Sequence, residues 1–252
     1  MASPYAAAPE TEWMGVTKRL IDEHPLTLDV ILDAALISWE RLWSSTVGDS
    51  KTGFRLQELD PPATVVGYFF EKIFSKQLAS QMPDMWIGGK GSQKDLHCIT
   101  NESKSVEMKS SGQLGYKVYG NRSYGQKNED EEAAKKDKSG YYITINFYKH
   151  DLNLLRFGWI DADDWKAQAS ATGQMAGLGE KTYQNKLIVI RGRYMLSGPI
   201  QLVRGVGPKA SETLLKAGIN TIGDMLYSDP KNIPAGFQKL HKFILQEYRD
   251  LL

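Results

Sequence analysis

Two short segments, Asp95-Leu96-His97-Cys98-Ile99 and Ser105-Val106-Glu107-Met108-Lys109-Ser110-Ser111, stand either side of a brief polar turn. Residues two apart on a strand face the same side, so Glu107 and Lys109 project together while Val106 and Met108 face the opposite way. If the segments pair as a hairpin, Asp95 comes near Glu107. Two carboxylates and one ammonium then converge, a set suited to holding Mg²⁺ and steadying an attacking water beside a phosphodiester. Glu-x-Lys alone is common as exposed charge on a strand. Here its surroundings add weight: Ser110 and Ser111 follow, a helix carrying Glu71 precedes, and further strand-like segments come after.

Several classes are excluded by composition. One cysteine, Cys98, leaves no internal disulfide framework and no multi-cysteine zinc site. No apolar run approaches a membrane span, and the first residues lack a basic region followed by an apolar signal core. Residues 1–9 read as a flexible lead-in, and a cytoplasmic protein is expected. Residues 1–70 carry ten acids and five bases, and residues 186–252 five acids and ten bases, so the net charge of +1 hides an acidic front and a basic tail. A basic tail suits contact with phosphates, though a charge run is more often a solvated face.

Along the chain, apolar residues near helical spacing predict a core helix over 25–45 and, after Pro61-Pro62, another over 63–79. Phe69, Phe70, Ile73, Phe74 and Leu78 form the expected buried stripe of the second. Glu71 lies among them, either as a solvent-facing acid or as a third carboxylate reaching the cluster. Strands are expected at 95–99, 105–110, 141–149 and 154–160, with a last buried strand over 186–196. Residues 164–175 read as a helix capped by Asp161 or Asp163, and capping explains Asp161, Asp163 and Asp164 more simply than a metal does. The charged run 129–138 reads as an exposed helix with acids first and bases last. Mixed strands with flanking helices indicate an α/β domain up to residue 196.

Leu202-Val203-Arg204-Gly205-Val206-Gly207-Pro208-Lys209-Ala210 and the following Ser211–Ile219 stretch resemble a helix-hairpin-helix module. Gly205 and Gly207 permit a tight hairpin and close approach to a phosphate. Pro208 suits a first helical turn whose free amides attract an anion, Lys209 adds a positive charge, and Gly218 is a typical helix stop. Helices over 221–227 and 237–251 would complete a small all-α domain, 197–252. Such modules bind DNA phosphates without reading sequence, or mediate dimerisation.

Between the two motifs, residues 115–127 read as a glycine-punctuated loop rich in groups that bond base edges. Arg122 suits guanine, and Asn121 or Gln126 suits adenine; Lys117 and Ser123 complete the expected DNA-contacting set.

The blocks Glu107-Met108-Lys109-Ser110-Ser111, Gly120-Asn121-Arg122-Ser123-Tyr124, Tyr141-Tyr142-Ile143-Thr144-Ile145-Asn146-Phe147 and Arg156-Phe157-Gly158-Trp159-Ile160-Asp161 resemble the ScaI family of type II restriction endonucleases. So do Asp164-Trp165 and Thr172-Gly173-Gln174. The resemblance runs over roughly 63–230. It implies a PD-(D/E)xK nuclease fold over 1–196, including the N-terminal helices. It also implies Mg²⁺ dependence, a prokaryotic host, and a homodimer cutting both strands of duplex DNA at a short palindrome. Carried over by position, Asp95, Glu107 and Lys109 form the catalytic set, with Asp95 and Glu107 on the metal and Glu71 as the helical addition. This chain departs from the pattern in placing Lys94 before Asp95, whereas Pro83-Asp84 has the literal dipeptide. Asp84 therefore stays open as the first ligand, though Asp95 directly precedes a strand. A structure-specific repair nuclease and a non-catalytic DNA-binding protein are the competing readings.

Overall fold

A computed structural model describes residues 2–49, 51–121, 138–167 and 175–251. Its helices and strands follow in chain order: α1 Trp13–Asp22, α2 Leu28–Ser44, β1 Thr46–Val47, β2 Phe54–Arg55, α3 Ala63–Gln81, β3 Trp86–Gly88, β4 Leu96–Cys98, β5 Val106–Ser111 and β6 Tyr119–Asn121. Then come β7 Gly140–Tyr148, β8 Asp151–Ile160, β9 Trp165–Ala167, β10 Met175–Leu178, α4 Glu180–Asn185, β11 Leu187–Val189, α5 Pro208–Lys216, α6 Ile222–Tyr227 and α7 Gln238–Glu247. The chain divides into two units.

The first unit takes residues 1–111, 117–145 and 155–190. It is an α/β unit built on a mixed sheet of order β11-β8-β7-β5-β4-β3. β7 and β8 are central and buried almost throughout, which explains their near-continuous apolar runs. α3 packs on β3 and β5, and α2 packs on α3. Thr27 caps α2 by accepting the Val30 amide, and Ile31, Ala34, Ala35, Ser38, Trp39 and Leu42 fall on its buried stripe. α3 starts after Pro62 and buries Val66, Phe70, Phe74 and Leu78, one every four residues. Phe69, expected in that stripe, lies off this line and is exposed.

The described residues of the expected lead-in, 2–9, are not loose. Tyr5 is buried and bonds Thr17 through its hydroxyl, and the Ser3 hydroxyl donates to Asp161. The anchor is Lys186, whose buried ammonium donates to Asp161 at 2.7 Å and to Asp164 at 2.8 Å. It also lies 4.5 Å and 4.6 Å from the Tyr5 and Trp13 ring centroids. An ammonium buried this far needs paired carboxylates and ring faces in place of water, and the N-terminal segment supplies the rings.

The helix expected over 164–175 is not formed at either described end. Asp161 does cap a turn, but a single 3-10 one, Ala162–Asp164, through a reciprocal bond with Asp164. β9 and β10 then pair antiparallel, with β6 on the far side of β10. Trp165, Ala176 and Leu178 are buried with Val118, Tyr142, Ile160 and Leu187, and that burial overrides local helical preference. The strand expected over 186–196 is only β11, and a 3-10 turn, Arg193–Ser197, replaces its second half.

The second unit combines residues 112–116, 146–154 and 191–252. Leu154 from β8 packs with Ile200, Val203, Leu214, Ile222, Met225, Ile244 and Leu251 in its core. α5 opens with Pro208 and stops at Gly218, which has φ of +78°; the Ile219 amide returns to the Leu214 carbonyl. Before α5 stands a 3-10 turn, Ile200–Leu202, and no longer helix.

Candidate active site

The antiparallel pairing of β4 with β5 sets Leu96 opposite Val106. One step along that register, Asp95 faces Glu107. The Met108 amide donates to Asp95 Oδ2 at 2.8 Å, fixing the carboxylate against β5. Lys109 Nζ donates to Glu107 Oε1 at 2.7 Å and to the Met108 carbonyl at 3.1 Å. Glu107 is 2% exposed, so this ion pair is held away from bulk water. Burial, and then the charge of Glu107, push the Asp95 carboxyl up to about 6. Lys109 opposes that rise, and Glu71 adds to it.

α3 forms the opposite wall. Ser75 Oγ donates to the Asp95 carbonyl at 3.2 Å. A Cβ on Gly67 would lie 2.1 Å from Ser110 Oγ, so with glycine there α3 approaches β5 without displacing the Ser110 hydroxyl. Between them is a cleft of roughly 220 Å³ lined by Tyr68, Glu71, Lys109, Ser110, Tyr119 and their neighbours. Lys72 Nζ bonds Glu71 Oε1 at 2.6 Å on the same helix.

The structure therefore brings together Asp95, Glu107, Lys109 and, on α3, Glu71. Asp84 is exposed in the turn before β3. The β3–β4 register (Trp86 opposite Cys98, Gly88 opposite Leu96) puts it at the far end of β4 from Asp95, roughly 16 Å away at about 3.3 Å per residue. Lys94, where the pattern has proline, is buried and donates to the Ser139 carbonyl at 2.9 Å.

Among the described residues no group of three His, Cys, Asp or Glu side chains makes a metal cluster. The Asp95–Glu107 pair still fits a divalent cation. Burial beside Glu107 raises the proton affinity of Asp95, and a hard cation relieves the repulsion between the two carboxylates.

Of the expected base-reading residues, Arg122, Ser123 and Gln126 lie outside the described residues. Asn121 is exposed at the end of β6 and Lys117 is exposed just before it, so residues 119–121 are strand where a loop was expected. The residues 129–137 and 172–174 also fall outside the described set. Gly205, Gly207 and Lys209 are all exposed in the second unit, and Gly205 has φ of +91°.

Sequence reasoning passed over Gly67, Ser75, Gly89 and Lys72. The Gly89 amide donates to the Asp95 carbonyl at 3.0 Å, and a Cβ there would lie 1.8 Å from the Lys94 carbonyl oxygen. The signal for it was the glycine-rich Gly88-Gly89-Lys90-Gly91 directly ahead of the aspartate.

The family model described as ScaI restriction endonuclease matches residues 3–191. The type II restriction enzyme ScaI of Streptomyces caespitosus is 34% identical over 197 residues, covering 75% of this chain and 84% of that protein. No solved structure matches. The family match begins sixty residues earlier than the sequence blocks indicated and stops before the tail.

Proposed function

The chain belongs to the ScaI restriction endonuclease family, and from that premise we propose that it is a Mg²⁺-dependent type II restriction endonuclease of the PD-(D/E)xK kind. It hydrolyses both strands of duplex DNA at a short palindrome. The observation that carries this reading is the Lys109–Glu107 contact of 2.7 Å beside Asp95, on a strand walled by α3.

Asp95 and Glu107 would hold the cation, with Glu71 near enough to add its charge. A bound divalent cation acidifies water and neutralises charge developing on the phosphate. The chain's own groups do the rest. The Met108 amide keeps the Asp95 carboxylate fixed against β5 beside Glu107. Glu107 gives up its bond to Lys109, and the Lys109 ammonium then orients the attacking water and faces the scissile phosphate. Ser110 and the cleft wall limit where the strand can lie.

The reading extends to the tail and to assembly. Gly205 and Gly207 would let the hairpin before α5 approach a phosphate, with Lys209 beside it, as a helix-hairpin-helix module does. A homodimer matches a palindrome and cuts both strands symmetrically. Asn121, Arg122, Ser123, Gln126 and Lys117 are the proposed base and backbone contacts. Among the described residues no helix is long and apolar enough to cross a membrane, and a cytoplasmic location fits a DNA substrate.

The test is digestion of a long duplex with Mg²⁺, beside EDTA and Lys109→Ala controls. Discrete bands absent from both controls are expected. Cutting confined to forks or flaps would replace this reading with a repair nuclease.

A further inference from the structure

α3 carries a cation that the catalytic set leaves unused. Tyr68 and Lys72 are one helical turn apart, and Glu71 lies between them in sequence. Lys72 Nζ donates to Glu71 Oε1 at 2.6 Å and lies 5.3 Å from the centroid of the Tyr68 ring. Tyr68 and Glu71 both line the cleft that faces Lys109 and Ser110. Tyr68 is 59% exposed, an unusual state for a large aromatic on a packed helix. The ammonium is thus tethered at the cleft by two of its lining side chains. Its pair with Glu71 is between adjacent residues and half exposed, a type that contributes little to stability.

The local charge favours a second cation, above all before metal binds. Glu71 lines the cleft and, with Glu107, acts on Asp95, so three carboxylates interact there and Lys109 answers only one. Without a bound metal, a phosphodiester entering there meets a net charge of about −2, which Lys72 lowers to about −1. The bond to Glu71, and more weakly the charge of Asp95, favour the charged form of Lys72.

We propose that Lys72 is a phosphate-positioning residue, parked on Glu71 in the free enzyme and transferred, when DNA binds, to a backbone phosphate flanking the scissile one. The inference rests on the nuclease reading of the same cleft. Transfer has a second effect: it frees the Glu71 carboxylate to face the Asp95–Glu107 pair. Tyr68 serves as the surface along which the long lysine stem swings.

The experiment measures binding of a short duplex in EDTA over a range of salt concentrations, with the wild type, Lys72→Gln, Lys72→Arg, Glu71→Gln and the Glu71→Gln/Lys72→Gln double variant. Loss of one phosphate contact lowers the slope of log Kd against log salt by about one. Lys72→Gln is expected to show that drop and Lys72→Arg to restore it. Glu71→Gln is expected to tighten binding several-fold, and the gain is expected to shrink to the lost repulsion alone when Lys72 is also replaced. An unchanged slope in Lys72→Gln, or a gain from Glu71→Gln that is undiminished in the double variant, overturns the proposal. Should Lys72→Gln fail to fold, Lys72→Arg against Glu71→Gln still decides it, since free Lys72 is the proposed source of the gain. A wild type that cuts DNA while the slope stays fixed overturns this inference alone; a wild type that cuts no duplex overturns the nuclease reading with it.

Discussion

Asp95 keeps its proton to about pH 6 because it is buried and faces Glu107. An unfolded aspartate loses it near 4, so between those values the folded chain binds a proton that the unfolded chain has released. Stability therefore falls as pH rises through that window, and the cost persists at neutral pH. Asp95→Asn removes the charge and keeps an acceptor for the Met108 amide. In EDTA at pH 7.5 it is expected to stabilise the fold by about 1–3 kcal/mol, with the gain gone near pH 4; thermal melts at the two pH values check this. An equal melting temperature at pH 7.5 would show that the two carboxylates do not oppose each other. Lys109→Ala is expected to cost on the order of 10²–10³ in cleavage rate while duplex binding survives, read by single-turnover digestion beside a binding titration. These residues were legible because strand periodicity puts Glu107 and Lys109 on one side whatever the rest of the chain does. Lys72 was not, since an exposed Glu-Lys neighbour pair looks like ordinary surface until Tyr68 and the cleft stand beside it.

The site is assembled by elements that approach one another unusually closely. Gly67 lets α3 meet Ser110, Ser75 holds the Asp95 carbonyl, and Gly89 lets the β3 end pass the Lys94 carbonyl. Gly89→Ala would drive a methyl into backbone and not into a side chain that can turn away. A loss of about 1–3 kcal/mol is expected, the range for overpacking, together with reduced cleavage because Asp95 is displaced; chemical denaturation and digestion rates together test it. α2, α3 and the β7–β8 pair could be read from sequence because their burial follows one period over long runs. α1 could not, since only Val16, Thr17 and Ile21 are buried on it and Gly15 interrupts it. β9 and β10 are three and four residues long, too short for periodicity to outweigh the helical look of their surroundings. Their state is decided by partners distant in sequence, Val118 and Leu187 among them.

Two scales of relatedness meet in the whole chain. The family match ends at residue 191, yet the second unit draws on residues 112–116 and 146–154 as well as on the tail. Cutting the chain after 191 would strip Leu154 of the apolar neighbours it packs on. A 1–191 fragment is therefore expected to aggregate or melt well below the full chain, by light scattering and calorimetry; a monodisperse fragment of unchanged melting temperature would show that the tail is dispensable to the fold. Lys186 has a consequence of another kind, in time. Ser3 and Tyr5 leave the ribosome long before the ammonium and carboxylates that seat them: Lys186, Asp161 and Asp164 come more than 150 residues later. At about 5–20 residues per second that is a wait of roughly ten to forty seconds. Ser3 and Tyr5 thus form a late clasp: during synthesis they stay unfastened until the first unit is nearly complete.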